Sequence, residues 1–115
     1  MTLPADFRDW FAAQGWQPHP HQLALLDAQG DSLLIAPTGG GKTLAGFLPS
    51  LVDLRGGGRK GSVHTLYVSP LKALTADIGR NLARPVAELG LPIRVEDRTG
   101  DTRASRRRRQ RVDPP

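Results

Sequence analysis

The stretch from Leu33 to Phe47, LLIAPTGGGKTLAGF, constrains the fold more than any other part of the chain. Leu33 to Ala36 form a short apolar run with the length and composition of a buried strand. From Lys42 onward, Leu44, Phe47, Leu48 and Leu51 recur at three- and four-residue steps, the period of a helix. Between the two runs lie three consecutive glycines, Gly39 to Gly41. Strand, glycine loop and helix in this order aim the free N–H groups of the helix start into one concavity, and glycine lets a ligand approach the main chain closely. The helix N-terminus adds partial positive charge, which suits an anion. Lys42 then reaches the β- and γ-phosphates of a nucleoside triphosphate, and the Thr43 hydroxyl is placed to ligate Mg²⁺.

The general pattern for such a loop is G-x-x-x-x-G-K-[ST]; here the first position is Ala36. The plainer alternative is a glycine-rich turn with an incidental lysine. The order strand, loop, Lys-Thr, helix favours nucleotide binding over that alternative.

Charge is unevenly spread. The chain of 115 residues carries a net +5, and eight arginines between Arg94 and Arg111 face only Glu96, Asp97 and Asp101. The remainder is balanced, so the whole excess sits in one segment that ends in RRRRQR. Such a cluster is either an electrostatic footprint for phosphate backbones or a solvated helix face, and a charge run alone favours the solvated face. With no cysteine, the chain has neither a disulfide framework nor a thiolate metal site. His19, His21 and His64 have no companions that suggest a metal site. No run approaches membrane-spanning length and MTLPADFRDW does not read as a secretion signal, so a cytoplasmic protein with no membrane partner is expected.

Elements alternate along the chain. Phe7, Trp10 and Phe11 mark a first helix that Gly15 would end, and Pro18 and Pro20 introduce a second that stops near Gly30. The Lys42 helix runs to about Leu54, with Pro49 inside it expected to kink it. Residues 55 to 61, RGGGRKG, read as a surface loop. His64 to Ser69 reads as a buried strand, Leu71 to Leu89 as a helix or a helix pair interrupted at Pro85, Ile93 to Glu96 as a third strand, and Thr102 to Arg111 as a helix. Strands alternating with helices predict an α/β fold built on a parallel sheet. Two stretches then fall at strand ends, the edge where such sheets bind ligands. Lys72 sits in the first helical turn after SPLKAL, and Arg98 to Thr102, RTGDT, forms a polar turn expected to expose backbone donors.

Taken together, these motifs resemble the beginning of a DNA helicase of the second superfamily, DEAD/DEAH-box type, and especially the bacterial ligase-associated, long-helicase-related DExH-box group. PHPHQ with Gln22 resembles the adenine-reading Q motif, APTGGGKT motif I, SPLKAL motif Ia and RTGDT the following nucleic-acid-binding turn. FLPSLVDL, with its Pro49, is similar to the same group, and helicases of this superfamily commonly carry alanine at the position of Ala36.

The resemblance implies an incomplete first RecA-like, P-loop ATP-binding domain over residues 31–115, preceded by N-terminal helices with the Q-like motif over residues 1–30. ATP and Mg²⁺ are the implied cofactors. Gln22, Thr38, Gly39, Gly40, Gly41, Lys42 and Thr43 would hold the nucleotide, with Lys42 and Thr43 acting in catalysis and Thr43 on the metal. Trp16, Phe11 and Phe7 are candidates to stack on adenine, core packing being the stronger reading of the last two. Pro70, Leu71 and Lys72, with Arg98, Thr99, Gly100 and Asp101, would line the track of one nucleic-acid strand. Single-stranded DNA or a 3′ tail is the implied partner, with DNA repair enzymes, a ligase among them, as further partners.

One departure is large. No Asp-Glu dipeptide occurs, and VDPP precedes the place where the DExH motif would stand. The carboxylates that orient the attacking water, the arginine finger and the second RecA-like domain are therefore not expected in these residues. The chain reads as the binding part of its parent enzyme, expected to be inactive in hydrolysis alone. Two other classes stay open: another P-loop ATPase or kinase, which would need neither Gln22 nor RTGDT, and a non-catalytic basic module that binds nucleic acid through its arginines.

Overall fold

The computed structural model describes residues 3–36, 42–57 and 61–115. The chain divides into two compact units, Met1–Asp53 and Leu54–Pro115.

The first unit contains α1 (Ala5–Ala13), α2 (Pro20–Asp27) and nearly all of α3 (Lys42–Leu54). On α1, Phe7, Trp10 and Phe11 fall on one face because three- and four-residue steps close a helical turn, and all three are buried. Ala45, Leu48 and Leu51 form the matching buried stripe of α3. Each large side chain so buried contributes about 1.5–3 kcal/mol. Trp10 meets both Phe11 and Trp16 edge-on, with ring centroids 5.3 and 5.7 Å apart. The end of α1 is fixed by Gly15, whose φ of +75° suits a residue without Cβ. Its N–H donates to the Ala12 carbonyl, and the Trp16 N–H reaches back to that of Phe11. Pro20 opens α2 at a position where a missing N–H costs nothing.

The second unit contains α4 (Lys72–Glu88) and α5 (Ala104–Val112). Helix α4 ends as α1 does: Gly90 takes φ +62°, and the Gly90 and Leu91 amides donate to Ala87 and Val86. It runs as one helix through Pro85, a buried position, rather than breaking there. Burial there offsets the backbone bond that the proline ring removes. Pro49 likewise lies within a continuous α3.

The expected α/β architecture is not observed. The described residues contain five helices and no strand. Residues 33–36, 64–69 and 93–96, read from sequence as strands, lack regular structure. Leu33, Ile35, Leu66 and Val68 are 79–86% exposed rather than buried. A helix satisfies its backbone within itself, but a strand exists only through a neighbour that accepts and donates across the ladder. The apolar runs record a preference for burial; the hydrogen-bonding partner that would convert that preference into a strand is not among the described residues.

Candidate functional site

The nucleotide motif falls in the first unit. Lys42 is the first residue of α3 and is exposed, and Thr43 follows it half-buried in the same opening turn. Thr38, Gly39, Gly40 and Gly41 lie outside the described residues. Gln22 is buried at 2% exposure, and its Oε1 accepts the His19 N–H at 2.8 Å. That bond belongs to a capping box at the start of α2, where a glutamine three residues into the helix satisfies an amide the helix leaves open. Phe7 and Phe11 are buried, in keeping with core packing, whereas Trp16 is 47% exposed. His19 and His21 stack on one another, and no group of three or more His, Asp or Glu side chains among the described residues is arranged to hold a metal ion.

The second unit brings the other two motifs together. Leu71 caps α4, and its carbonyl accepts both the amide and the hydroxyl of Thr75. Lys72, the first residue of the helix, forms an ion pair with Asp101 of the RTGDT stretch. Both side chains are about two-thirds exposed, so the pair is held in water and readily exchanged for another anion. Pro70 and Leu71 precede Lys72 on the same exposed surface.

Residues 99–102 form a closed turn. The Thr102 amide donates to the Thr99 carbonyl, the Thr99 amide to the Thr102 hydroxyl at 2.9 Å, and the Asp101 amide to the Thr99 hydroxyl at 3.2 Å. The two threonines thus engage amides that the sequence suggested would be open. Gly100, at the apex, has no positive φ and no close neighbour where a Cβ would stand.

The arginine run is largely engaged inside the unit. Arg106 and Arg109 both pair with Glu96, and Arg106 also pairs with Asp97 at 3.3 Å. Arg94 holds the Asp113 carboxylate and the carbonyls of Asp113 and Pro114. Glu96, with its side chain only 12% exposed, lies among three guanidinium groups. Four consecutive arginines on a helix point in four directions, because each residue turns about 100°. The sequence could show the excess charge but not this division.

Comparison with known proteins decides the family. The DEAD/DEAH box helicase model matches residues 19–113. The chain belongs to that family. It is 41% identical to the "Lhr helicase/ probable uracil glycosylase" of Mycolicibacterium smegmatis, over 94% of this chain and 8% of that protein. It is 38% identical to the "ATP-dependent helicase Lhr-Core protein 2" of Thermococcus barophilus, over 94% of this chain and 14% of that protein. An "ATP-dependent helicase Lhr-Core" of Methanocaldococcus jannaschii is 39% identical over 98% of the chain and 16% of its own length. The chain therefore spans less than a fifth of each of these relatives. No solved structure matches. No described helix is long and apolar enough to cross a membrane.

Proposed function

We propose that the chain is the ATP-binding and strand-gripping part of an ATP-dependent DNA helicase or translocase of the second superfamily. The observation that carries this reading is the Lys72–Asp101 pair, which joins the motif Ia stretch to the RTGDT turn in one exposed polar cluster. Lys72 supplies a positive charge at a helix start, and Asp101 holds it in place until a phosphate takes over. Family membership and the ATP dependence in the names of two relatives support the nucleotide half.

In that half, Lys42 neutralises the β- and γ-phosphates and the amides of the opening turn of α3 donate to them. An exposed lysine, a hydroxyl beside it and the positive end of a 13-residue helix suit a triphosphate and its metal ion. Thr43 would hold Mg²⁺, which when bound offsets phosphate charge. Gln22 reads the adenine edge when the base competes with the His19 amide for its side chain, and Trp16, six residues before it, is an exposed aromatic. The partner is single-stranded DNA or a 3′ tail, and the setting is DNA repair.

A non-catalytic basic module is the weaker reading, since Arg94, Arg106 and Arg109 converge on Glu96, whose side chain is only 12% exposed, whereas Lys72 and Asp101 are both about two-thirds exposed. The test has two arms on the full chain. Lys72→Ala should weaken a fluorescent single-stranded oligonucleotide about tenfold, and Lys42→Ala should remove affinity for a fluorescent ATP analogue, the loss of charge-assisted bonds costing about 1.5–3 kcal/mol each. Unchanged affinity in either arm would remove that half of the assignment.

A further inference from the structure

We propose that Arg107 is a positioning residue for the strand-contacting turn, clamping Thr99 and Gly100 from beneath so that Asp101 and the apex are presented in one conformation. The clamp is distinct from the charge pairs around it. Arg107 Nη2 donates to the Thr99 carbonyl at 2.8 Å and to the Gly100 carbonyl at 3.0 Å, two successive backbone groups of the turn. Among the arginines of α5 it is the one that is not exposed. Its Nε is fully buried without a hydrogen-bond partner among the described residues, which places the guanidinium under the turn rather than along the surface. Arg106 and Arg109, at other angles around the helix, take the carboxylates of Glu96 and Asp97.

The turn bonds of Thr99 and Thr102 fix the loop internally, but internal bonds do not orient it relative to α5. The Arg107 fork supplies that orientation, and a planar guanidinium does so with less loss of freedom per bond than an ammonium. Gln110 Nε2, one helical turn further on, donates to the Asp97 carbonyl at 3.0 Å and anchors the approach to the same turn. One run of like residues therefore has separate duties: two arginines bind α5 to the acidic segment, and Arg107 aims the turn.

This inference rests on the reading that the turn meets a nucleic-acid strand, and the experiment keeps the two apart. Amide hydrogen exchange of Thr99 and Asp101 reports the clamp without any ligand; the affinity for a single-stranded oligonucleotide and its salt dependence report the contact. In Arg107→Ala, both amides should exchange at least about tenfold faster, and affinity should fall about tenfold with the salt slope unchanged. Arg108→Ala removes the same charge from the adjacent residue and should leave both amides protected. Arg107→Lys keeps the charge and the stem, and is read by the same two measurements should the alanine variant lose helix by circular dichroism; it should restore only part of the protection. Wild-type exchange in Arg107→Ala overturns the proposal. So does a fall in salt slope of about 0.7, the mark of a lost phosphate contact on a single strand. Faster exchange with affinity unchanged, in this variant and in Lys72→Ala alike, leaves the clamp standing and overturns the nucleic-acid reading.

Discussion

Phe7, Phe11 and Leu48 in the first unit are at most 2% exposed, whereas α5 in the second buries no side chain. The first is organised by apolar stripes on α1 and α3, the second around its site by Glu96, Asp97 and a set of arginines. Burial is non-directional and scales with area, so it fixes helices firmly but specifies no chemistry. Charged forks are directional and individually weak at an exposed surface, so they fix the aim of a loop while leaving it free to exchange partners. The difference separates Arg94, Arg106, Arg107 and Arg109, which hold acidic groups and carbonyls of their own unit, from the exposed arginines around them.

The largest effect is expected in the apolar core of the first unit. Phe7→Ala should cost about 3–5 kcal/mol, followed by the fluorescence of Trp10 and Trp16, both of which lie there. A loss below about 1 kcal/mol would mean that Phe7 is not part of a packed core. Gln22→Ala removes one partner of the capping box and should cost roughly 1 kcal/mol. The same variant sharpens the functional reading: weakened ATP with unchanged GTP in competition assigns the amide to adenine, while equal effects on both leave it as a cap alone.

Gly100→Ala should act in the opposite sense. With no positive φ and open space where the Cβ would stand, stability should stay within about 0.5 kcal/mol. A strand that approaches the backbone at the apex would nevertheless meet the added methyl, and oligonucleotide affinity should drop a few-fold. Unchanged affinity would place the strand away from the apex.

What was legible in the sequence follows the same division. Gly15 ends its helix with positive φ, Pro20 starts α2, and α3 begins at Lys42 and runs to Leu54 as its apolar spacing predicts. These signals are local, and local hydrogen bonds are enough to realise them. The strands expected at Leu33–Ala36 and His64–Ser69 are not formed, because the outcome of an apolar run depends on a distant neighbour. The ion pair of Lys72 with Asp101 was within reach of charge complementarity. The roles of Arg106, Arg107 and Arg109 were not: in a run of identical residues, only helical phase relative to Glu96 and to the turn separates them.

In the proposed reading charge in the second unit is divided, Lys72 serving the ligand and the Glu96-bound arginines serving the fold. Oligonucleotide affinity measured across a range of salt concentrations tests this most directly, in the wild type, Lys72→Ala and Arg106→Ala. Lys72→Ala should lower the salt slope by about 0.7, one phosphate contact on a single strand, while Arg106→Ala should leave it unchanged. A slope lowered by Arg106→Ala and untouched by Lys72→Ala would contradict it.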